Sequence, residues 1–158
     1  MCRPVRDTSA AAAGFGLIEV VVTLAIVGVL ASIALPSLMQ QIRKTRRADA
    51  VAAVLRVQQA QERHRATQPT YAASLDADGL NMPTASPSGH YLMSSAAASG
   101  AESSAYVVRA QAQGPQAQDL TCRHMVVNVT GGQLTYSSGA EADAGNTGAA
   151  NRACWGQP

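Results

Sequence analysis

One acidic side chain, Glu19, interrupts an otherwise uncharged apolar segment near the start of the chain. From Phe15 to Leu35 the sequence reads FGLIEVVVTLAIVGVLASIAL, and Glu19 is its only charged residue. A helix of about 20 residues, rising about 1.5 Å per residue, spans the ~30 Å hydrocarbon core of a bilayer. A carboxylate in such a helix is costly unless it finds a partner. Glu19 is therefore a candidate functional residue on physical grounds alone.

The residues before this segment differ from a secretory signal peptide, in which small residues mark a cleavage site after the apolar region. The stretch from Met1 to Gly14 is short, carries Arg3 and Arg6, and ends on a glycine that precedes the apolar segment. Hydropathy alone leaves open a simple N-terminal anchor helix or a signal peptide with a poorly marked cleavage site.

The order Gly-Phe-x-Leu-Ile-Glu, followed by an apolar run and then Pro36, resembles the N-terminus of type IV prepilins and of type II secretion pseudopilins. In that family a prepilin peptidase cleaves after the glycine and N-methylates the new first residue. The resemblance implies cleavage between Gly14 and Phe15, methylation of Phe15, and assembly roles for Glu19 and Pro36. Gly16 departs from the family, which usually has threonine or another small residue there.

The resemblance gives Glu19 a specific role in a filament. Apolar helices packed side by side form a filament core, and a heterologous contact that does not close into a ring propagates as a helical array. Glu19 would pair with the free α-amine of Phe15, in its own or the adjoining subunit, and so set the axial register. The alternative is a Glu19 that snorkels to the lipid headgroups.

The resemblance also divides the chain into three parts. Residues 1–14 are a prepilin leader that is removed, and residues 15–36 are a transmembrane or filament-core helix. Residues 37–158 form an amphipathic helix and a periplasmic or extracellular sheet domain. The expected location is the inner membrane, as a single-pass protein, before assembly and the extracellular pilus filament afterwards. The expected partners are other pilin subunits, the prepilin peptidase and the inner membrane.

The exported part of such a protein contains two of the three cysteines, Cys122 and Cys154, whereas Cys2 lies in the leader. A cysteine pair outside the cytoplasm is typical of a disulfide. It would stabilise a small domain in a chain that has only one Phe and one Trp in all. Two free thiols are the alternative.

The pattern beyond Pro36 predicts an α+β fold. Residues 37–66 contain no Gly or Pro and are rich in helix formers, so we expect one long helix from Phe15 to about Ala66, kinked at Pro36. A loop follows over residues 68–89, and residues 139–153 would be a coil if Cys154 did not tie them down. The expected strands, which form an antiparallel sheet of four, are His90–Ser94, Ala105–Ala112, Thr121–Thr130 and Gln133–Ser137.

Gly131-Gly132 lies between two strand-like runs and predicts a hairpin. The segment from Cys122 through this turn, with the C-terminal pair Cys154-Trp155, resembles the last hairpin and C-terminal Cys-Trp of a group of minor pilins. That group includes pilins of fimbrial assembly and of DNA-uptake machines. The whole order therefore resembles the type IV pilin fold, with the long helix packed on the sheet.

No pattern in the sequence indicates an enzyme or a cofactor. His64, His90 and His124 are isolated from one another, and no Cys/His spacing suggests zinc. A nucleophile pair of Cys122 and His124 is excluded if Cys122 forms a disulfide. Gly131-Gly132 lacks the spacing of a phosphate-binding loop. We expect neither catalysis nor a bound metal.

The basic cluster Arg43-Lys44-Thr45-Arg46-Arg47 is the strongest charge feature of the chain. It is typical of a belt beside phospholipid headgroups, and DNA binding there is a weaker alternative because no aromatic residues interleave with it. On the sheet domain Arg109, Arg123 and Arg152 could contact DNA. Nearby acidic residues offset them, namely Glu102, Asp119, Glu141 and Asp143.

The leading hypothesis is a structural subunit, a minor pilin of a type IV pilus that contributes to assembly and to adhesion, motility or DNA uptake. Two alternatives remain. One is a DNA-binding pilin of a competence machinery, which needs a basic surface on the sheet domain. The other is a type II secretion pseudopilin, which the C-terminal cysteine pair argues against.

Overall fold

The computed structural model describes residues 16–143, 145 and 148–156. A long helix is followed by four strands and a short C-terminal helix. The bounds are α1 Leu17–Arg65, β1 Tyr91–Ala97, β2 Ala105–Ala112, a 3-10 helix η1 Gly114–Gln118, β3 His124–Thr130, β4 Gln133–Gly139 and α2 Gly148–Trp155. The chain forms two compact units, with the boundary between Leu38 and Met39.

The described part of the first unit is the apolar beginning of α1. Its Leu, Ile and Val side chains are exposed all round the helix, from Leu17 to Leu38. The helix is long and apolar enough to cross a membrane. It continues through Pro36, so this proline does not end it. The kink that the sequence predicts at Pro36 stays a prediction.

The second unit begins with the remainder of α1, where only one side of the helix is apolar and covered. This part of α1 buries Ala50, Ala53, Val54, Val57, Gln58, Ala60 and Gln61. Their recurrence every three or four residues is the period of a helix that packs by one face. Leu55 lies off this face and is half exposed, whereas the small residues Ala50 and Ala53 are buried.

The sheet is antiparallel, with the strands in the order β1-β2-β3-β4. This is the simplest meander, since each strand pairs with the strand that follows it. The hairpin between β3 and β4 turns at Gly131 and Gly132, and Thr130 pairs with Gln133. Both glycines have positive φ, 56° and 83°, which side chains with a Cβ rarely adopt. The prediction of a hairpin at this site is confirmed.

The core of the second unit lies between the buried face of α1 and the inner face of the sheet. The inner face shows alternating burial along β1, most of β2 and the second half of β3, as a strand buried on one side requires. Its buried apolar side chains are Tyr91, Met93, Tyr106, Val108, Ala110, Ala112, Met125, Val127 and Val129. The expected α+β fold, a long N-terminal helix packed on a four-stranded antiparallel sheet, is therefore confirmed.

A buried glutamine holds the loop after α1 against the helix. The Gln61 side-chain amide donates to the carbonyl of Ala72 at 3.0 Å and to the Ser95 hydroxyl at 2.9 Å. The Ala72 N–H donates back to Gln61 Oε1 at 2.9 Å. Burying an amide costs free energy unless it is hydrogen-bonded, and here both ends of the amide have partners.

Asp49 of α1 also holds a loop segment against the helix through hydrogen bonds. It accepts hydrogen bonds from the Ser86 hydroxyl at 2.6 Å, the Ser88 N–H at 3.0 Å and the His90 N–H at 3.4 Å. Partial burial acts to raise its pKa, but these hydrogen bonds outweigh burial and the net pKa is lowered. Asp49 therefore holds the segment before β1 against α1.

Two predicted elements differ from the structure. The tail over residues 139–153 was expected to be a coil, but its end forms α2 from Gly148. Trp155 explains the helix, because its ring packs edge-on against Tyr136 of β4 at 5.1 Å and burial offsets the weak propensity of the segment. The strand expected from Thr121 begins only at His124, since Cys122 is held in the turn that precedes β3.

Candidate functional site

Glu19 lies in the first turn of α1, in the part of the helix whose apolar side chains are all exposed. Among the described residues it has no ion pair. An acidic residue in the first turn of a helix is favoured by the helix dipole, but that effect is small beside the cost of placing it in lipid. Gly14 and Phe15, the predicted cleavage site and the predicted partner amine, lie outside the described residues.

Cys122 and Cys154 form a disulfide, with their Cα atoms 5.6 Å apart. The bond joins the turn before β3 to α2, and both residues are buried. The sequence prediction of this pair is confirmed. Because Cys122 is bonded to Cys154, it is no nucleophile for His124.

His124 stands at the start of β3, where burial lowers its pKa, Glu141 acts to raise it and Arg123 acts to lower it. No group of three or more potential metal ligands occurs among residues 16–143, 145 and 148–156.

The basic cluster is built into the second unit rather than lying free on its surface. Arg47 forms a bidentate ion pair with Asp119, with N–O distances of 2.7 and 2.8 Å, and donates from Nη1 to the Ala153 carbonyl at 2.9 Å. The side chains of Arg47 and Asp119 are only 12% and 5% exposed. Arg47 therefore ties α1 to both the turn after η1 and α2.

Arg43 is held one turn earlier on the helix. Its Nη2 donates to Gln118 Oε1 at 2.6 Å, while Gln116 donates to its backbone carbonyl at 3.2 Å. The buried Nε of Arg43 has no hydrogen-bond partner in the described part of the chain. A groove of about 440 Å³ opens here between α1 and the segment after η1.

Sequence reasoning missed the residues that organise this groove, Gln116, Gln118 and Asp119. Pro115 at the start of η1 is a signal that could have been used, since Pro favours the first position of a helical turn. Asp119 was counted only as an acid that weakens DNA binding. In the structure it neutralises Arg47 and leaves Arg43 and Lys44 as the positive charges of the groove.

A second polar surface lies on the outer face of the sheet. Arg109 is exposed there, in the row where Ser94, Arg109 and Val126 pair across β1, β2 and β3. Exposed Gln111 lies in the row on one side of Arg109, and exposed Asn128 lies in the row on the other side. None of the four strands contains an acidic residue.

The predicted basic residues of the sheet domain do not all join this surface. Arg109 has no ion pair within the described ranges. Arg123 is half-buried and donates from Nε to the Ala117 carbonyl at 2.8 Å, so part of its hydrogen-bonding capacity is used internally. Arg152 is exposed on α2, and Glu102 and Asp119 lie outside the strands. Arg109 and Arg152 are thus the predicted DNA-contacting residues whose side chains stay exposed.

Comparison with known families gives two matches along this chain. Residues 9–35 match the prokaryotic N-terminal methylation motif, and residues 36–126 match the family described as type IV minor pilin ComP, DNA uptake sequence receptor. The second match covers more than half of the sequence. The chain belongs to this family of type IV minor pilins. No curated protein sequence matches it.

The two matches meet between Leu35 and Pro36, so the motif covers the apolar helix and the minor pilin family covers most of the second unit. This minor pilin is a structural subunit of a type IV pilus, as the N-terminal motif and the C-terminal Cys-Trp predicted. It associates with other pilins in the filament. The apolar part of α1 fits both membrane anchoring and assembly into the filament.

Proposed function

We propose that this minor pilin is the DNA-binding subunit of a pilus that takes up DNA. The observation that carries the proposal is the outer face of the sheet, where exposed Arg109 pairs with Ser94 and Val126, exposed Gln111 and Asn128 lie in the adjacent rows, and no strand carries an acid. The family matched by residues 36–126, whose description names a DNA uptake sequence receptor, supports the same function.

The residue types on this face suit the two kinds of contact that DNA requires. Arginine binds phosphate oxygens, and such contacts fix the position of a protein on the duplex. Glutamine and asparagine can form paired hydrogen bonds to the edge of adenine. We propose that Arg109 binds the phosphate backbone and that Gln111 and Asn128, one row to either side, contact bases.

Binding of labelled duplex DNA by the full chain in neutral detergent, measured by fluorescence anisotropy over a series of salt concentrations, tests the proposal. Arg109→Gln should weaken binding and lower the slope of log K against log salt by about 1, because one phosphate contact is lost. The matched control is Arg56→Gln, which removes the same charge from an exposed position on α1.

Equal losses in the two variants would mean that only net charge matters, and an unchanged slope in Arg109→Gln would mean that DNA binds elsewhere. Gln111→Ala and Asn128→Ala test the base contacts. Each should reduce the preference for one duplex sequence over a shuffled one and leave the salt slope unchanged. Loss of affinity for both duplexes alike would contradict a role in base recognition.

We also propose how the subunit matures and enters the filament. A prepilin peptidase cleaves between Gly14 and Phe15 and methylates Phe15, while the apolar helix spans the inner membrane once. In the filament core Glu19 then pairs with the α-amine of Phe15, in its own or the adjoining subunit, and sets the axial register. Pro36 shapes the helix between the apolar half and the amphipathic half.

Two substitutions test these steps separately. Gly14→Ala should block maturation, so that the band on a gel has the same mobility in cells with and without the peptidase. Glu19→Ala should leave the protein in the membrane fraction and remove it from sheared filaments, since the register contact is lost. Thr23→Ala, one helical turn further along, is the matched control. Normal incorporation of Glu19→Ala would refute the register role.

A further inference from the structure

The groove beside Arg43 has the features of a phosphate site that neither the family description nor the proposed DNA surface uses. It is lined by Gln40, Arg43, Lys44, Arg47, Gln118 and Thr121, among others. We propose that this groove binds the phosphate of an anionic phospholipid headgroup while the subunit is anchored in the membrane. The proposal rests on the membrane insertion of α1 proposed above.

The donors of the groove are not all used within the protein. A guanidinium has five N–H groups, yet Arg43 donates one hydrogen bond, to Gln118, and its buried Nε has no partner within the described ranges. Lys44 is exposed and has no ion pair there. Arg47, in contrast, donates from all three guanidinium nitrogens, to Asp119 and Ala153. Arg43 and Lys44 are therefore the groups available to an anion.

The site is also held in place before a ligand arrives. Gln118 fixes the Arg43 guanidinium, and Gln116 holds the backbone carbonyl of Arg43. The ion pair of Arg47 with Asp119 forms one wall of the groove, and the charges of these two residues neutralise each other. Charge-assisted hydrogen bonds from arginine to phosphate are among the strong ones, and fixed donors lose less entropy when they bind.

The distance along the helix favours a lipid over DNA. The exposed apolar side chains of α1 continue beyond Leu35 to Leu38 and Met39, and Arg43 follows Met39 by four residues, or about 6 Å of helix rise. The headgroup layer of a bilayer is about 5–8 Å thick on each side. A helix whose apolar run fills the hydrocarbon core therefore carries Arg43 and Lys44 at headgroup depth.

Native mass spectrometry of the full chain, released from membranes containing phosphatidylglycerol and phosphatidylcholine, tests the site. We expect phosphatidylglycerol to be retained selectively, and retention to fall about tenfold in Lys44→Gln and in Arg43→Gln, as for loss of one charge-assisted hydrogen bond. Arg46→Gln is the matched control, because it removes the same charge from the same cluster but does not line the groove. Its effect should stay below about twofold.

Equal losses in Arg46→Gln and Arg43→Gln would overturn the groove and leave a diffuse basic belt. Equal retention of the two lipids would overturn it as well. Release of the lipid by a short DNA duplex, in wild type but not in Lys44→Gln, would assign the groove to DNA instead. Lys44→Gln keeps the test independent of folding, since Lys44 is exposed. A chain that carries no lipid of either kind would point to failed membrane insertion.

Discussion

The disulfide between Cys122 and Cys154 offers the sharpest quantitative prediction. The two cysteines are 32 residues apart in sequence. In the chain-entropy model, opening a loop of this length removes about 3.7 kcal/mol of stability at 25 °C. A small domain has only about 5–15 kcal/mol in total, so reduction should remove a large fraction of the stability of the second unit.

Urea unfolding of the full chain in neutral detergent measures this loss. With a slope of about 2 kcal/mol per molar, which is typical of small domains in urea, reduction should lower the midpoint by about 2 M. Trp155, the single tryptophan of the chain, provides one probe, because it is buried against Tyr136 beside the disulfide. The circular dichroism of the sheet provides another, which reports on all four strands rather than on α2 alone.

The two probes separate a global effect from a local one. Arg47 donates to the Ala153 carbonyl, and Asn151 donates to the Tyr136 carbonyl at 2.7 Å, so α2 has contacts that do not need the disulfide. We therefore expect both probes to shift together. An early tryptophan transition would mean that reduction releases α2 alone.

The control is a variant with Cys122→Ser and Cys154→Ser, studied in a Cys2→Ser background so that no thiol remains. It should match the reduced protein and be insensitive to reductant. A loss below about 1 kcal/mol, with both probes still coincident, would refute the chain-entropy argument for this loop. It would imply that the unfolded chain already keeps the two segments close.

Three further predictions concern the second unit. Asp119→Asn should lower the free energy of unfolding by about 3–5 kcal/mol, because the Arg47 charge stays buried without a carboxylate partner. A loss below about 1 kcal/mol in a urea titration would contradict this. Gln61→Leu should lower the free energy of unfolding by about 2–3 kcal/mol, since the N–H and the carbonyl of Ala72 both lose their hydrogen-bond partner. A variant as stable as wild type would show that water replaces the amide. Burial raises the pKa of Tyr91 to about 12, so the neutral phenol is favoured in the folded state and the free energy of unfolding should fall as pH rises from about 10 to about 12. Tyr91→Phe should flatten that fall, and an unchanged slope in this variant would exclude Tyr91 as its cause.

The apolar run with Glu19, the uninterrupted helix formers after Pro36 and the Gly131-Gly132 turn could all be interpreted from sequence, because each is a local pattern. Apolar residues three and four positions apart indicate a helix, and two adjacent glycines between strand-like runs indicate a tight turn. The prepilin motif is local for another reason, since a peptidase must recognise a short linear segment. The family match agrees with what these patterns predicted.

Tertiary structure decided which charges are available. In the sequence Arg43, Lys44, Arg46 and Arg47 are one cluster, but Asp119, 72 residues further on, neutralises Arg47 and leaves Arg43 and Lys44 for a ligand. Tertiary packing also buried the small residue Ala50 and left Leu55 half exposed. The packing of Trp155 on Tyr136 stabilises a helix in a tail whose own helix propensity is weak. These outcomes depend on residues distant in sequence, and no local pattern determines which distant side chains come into contact.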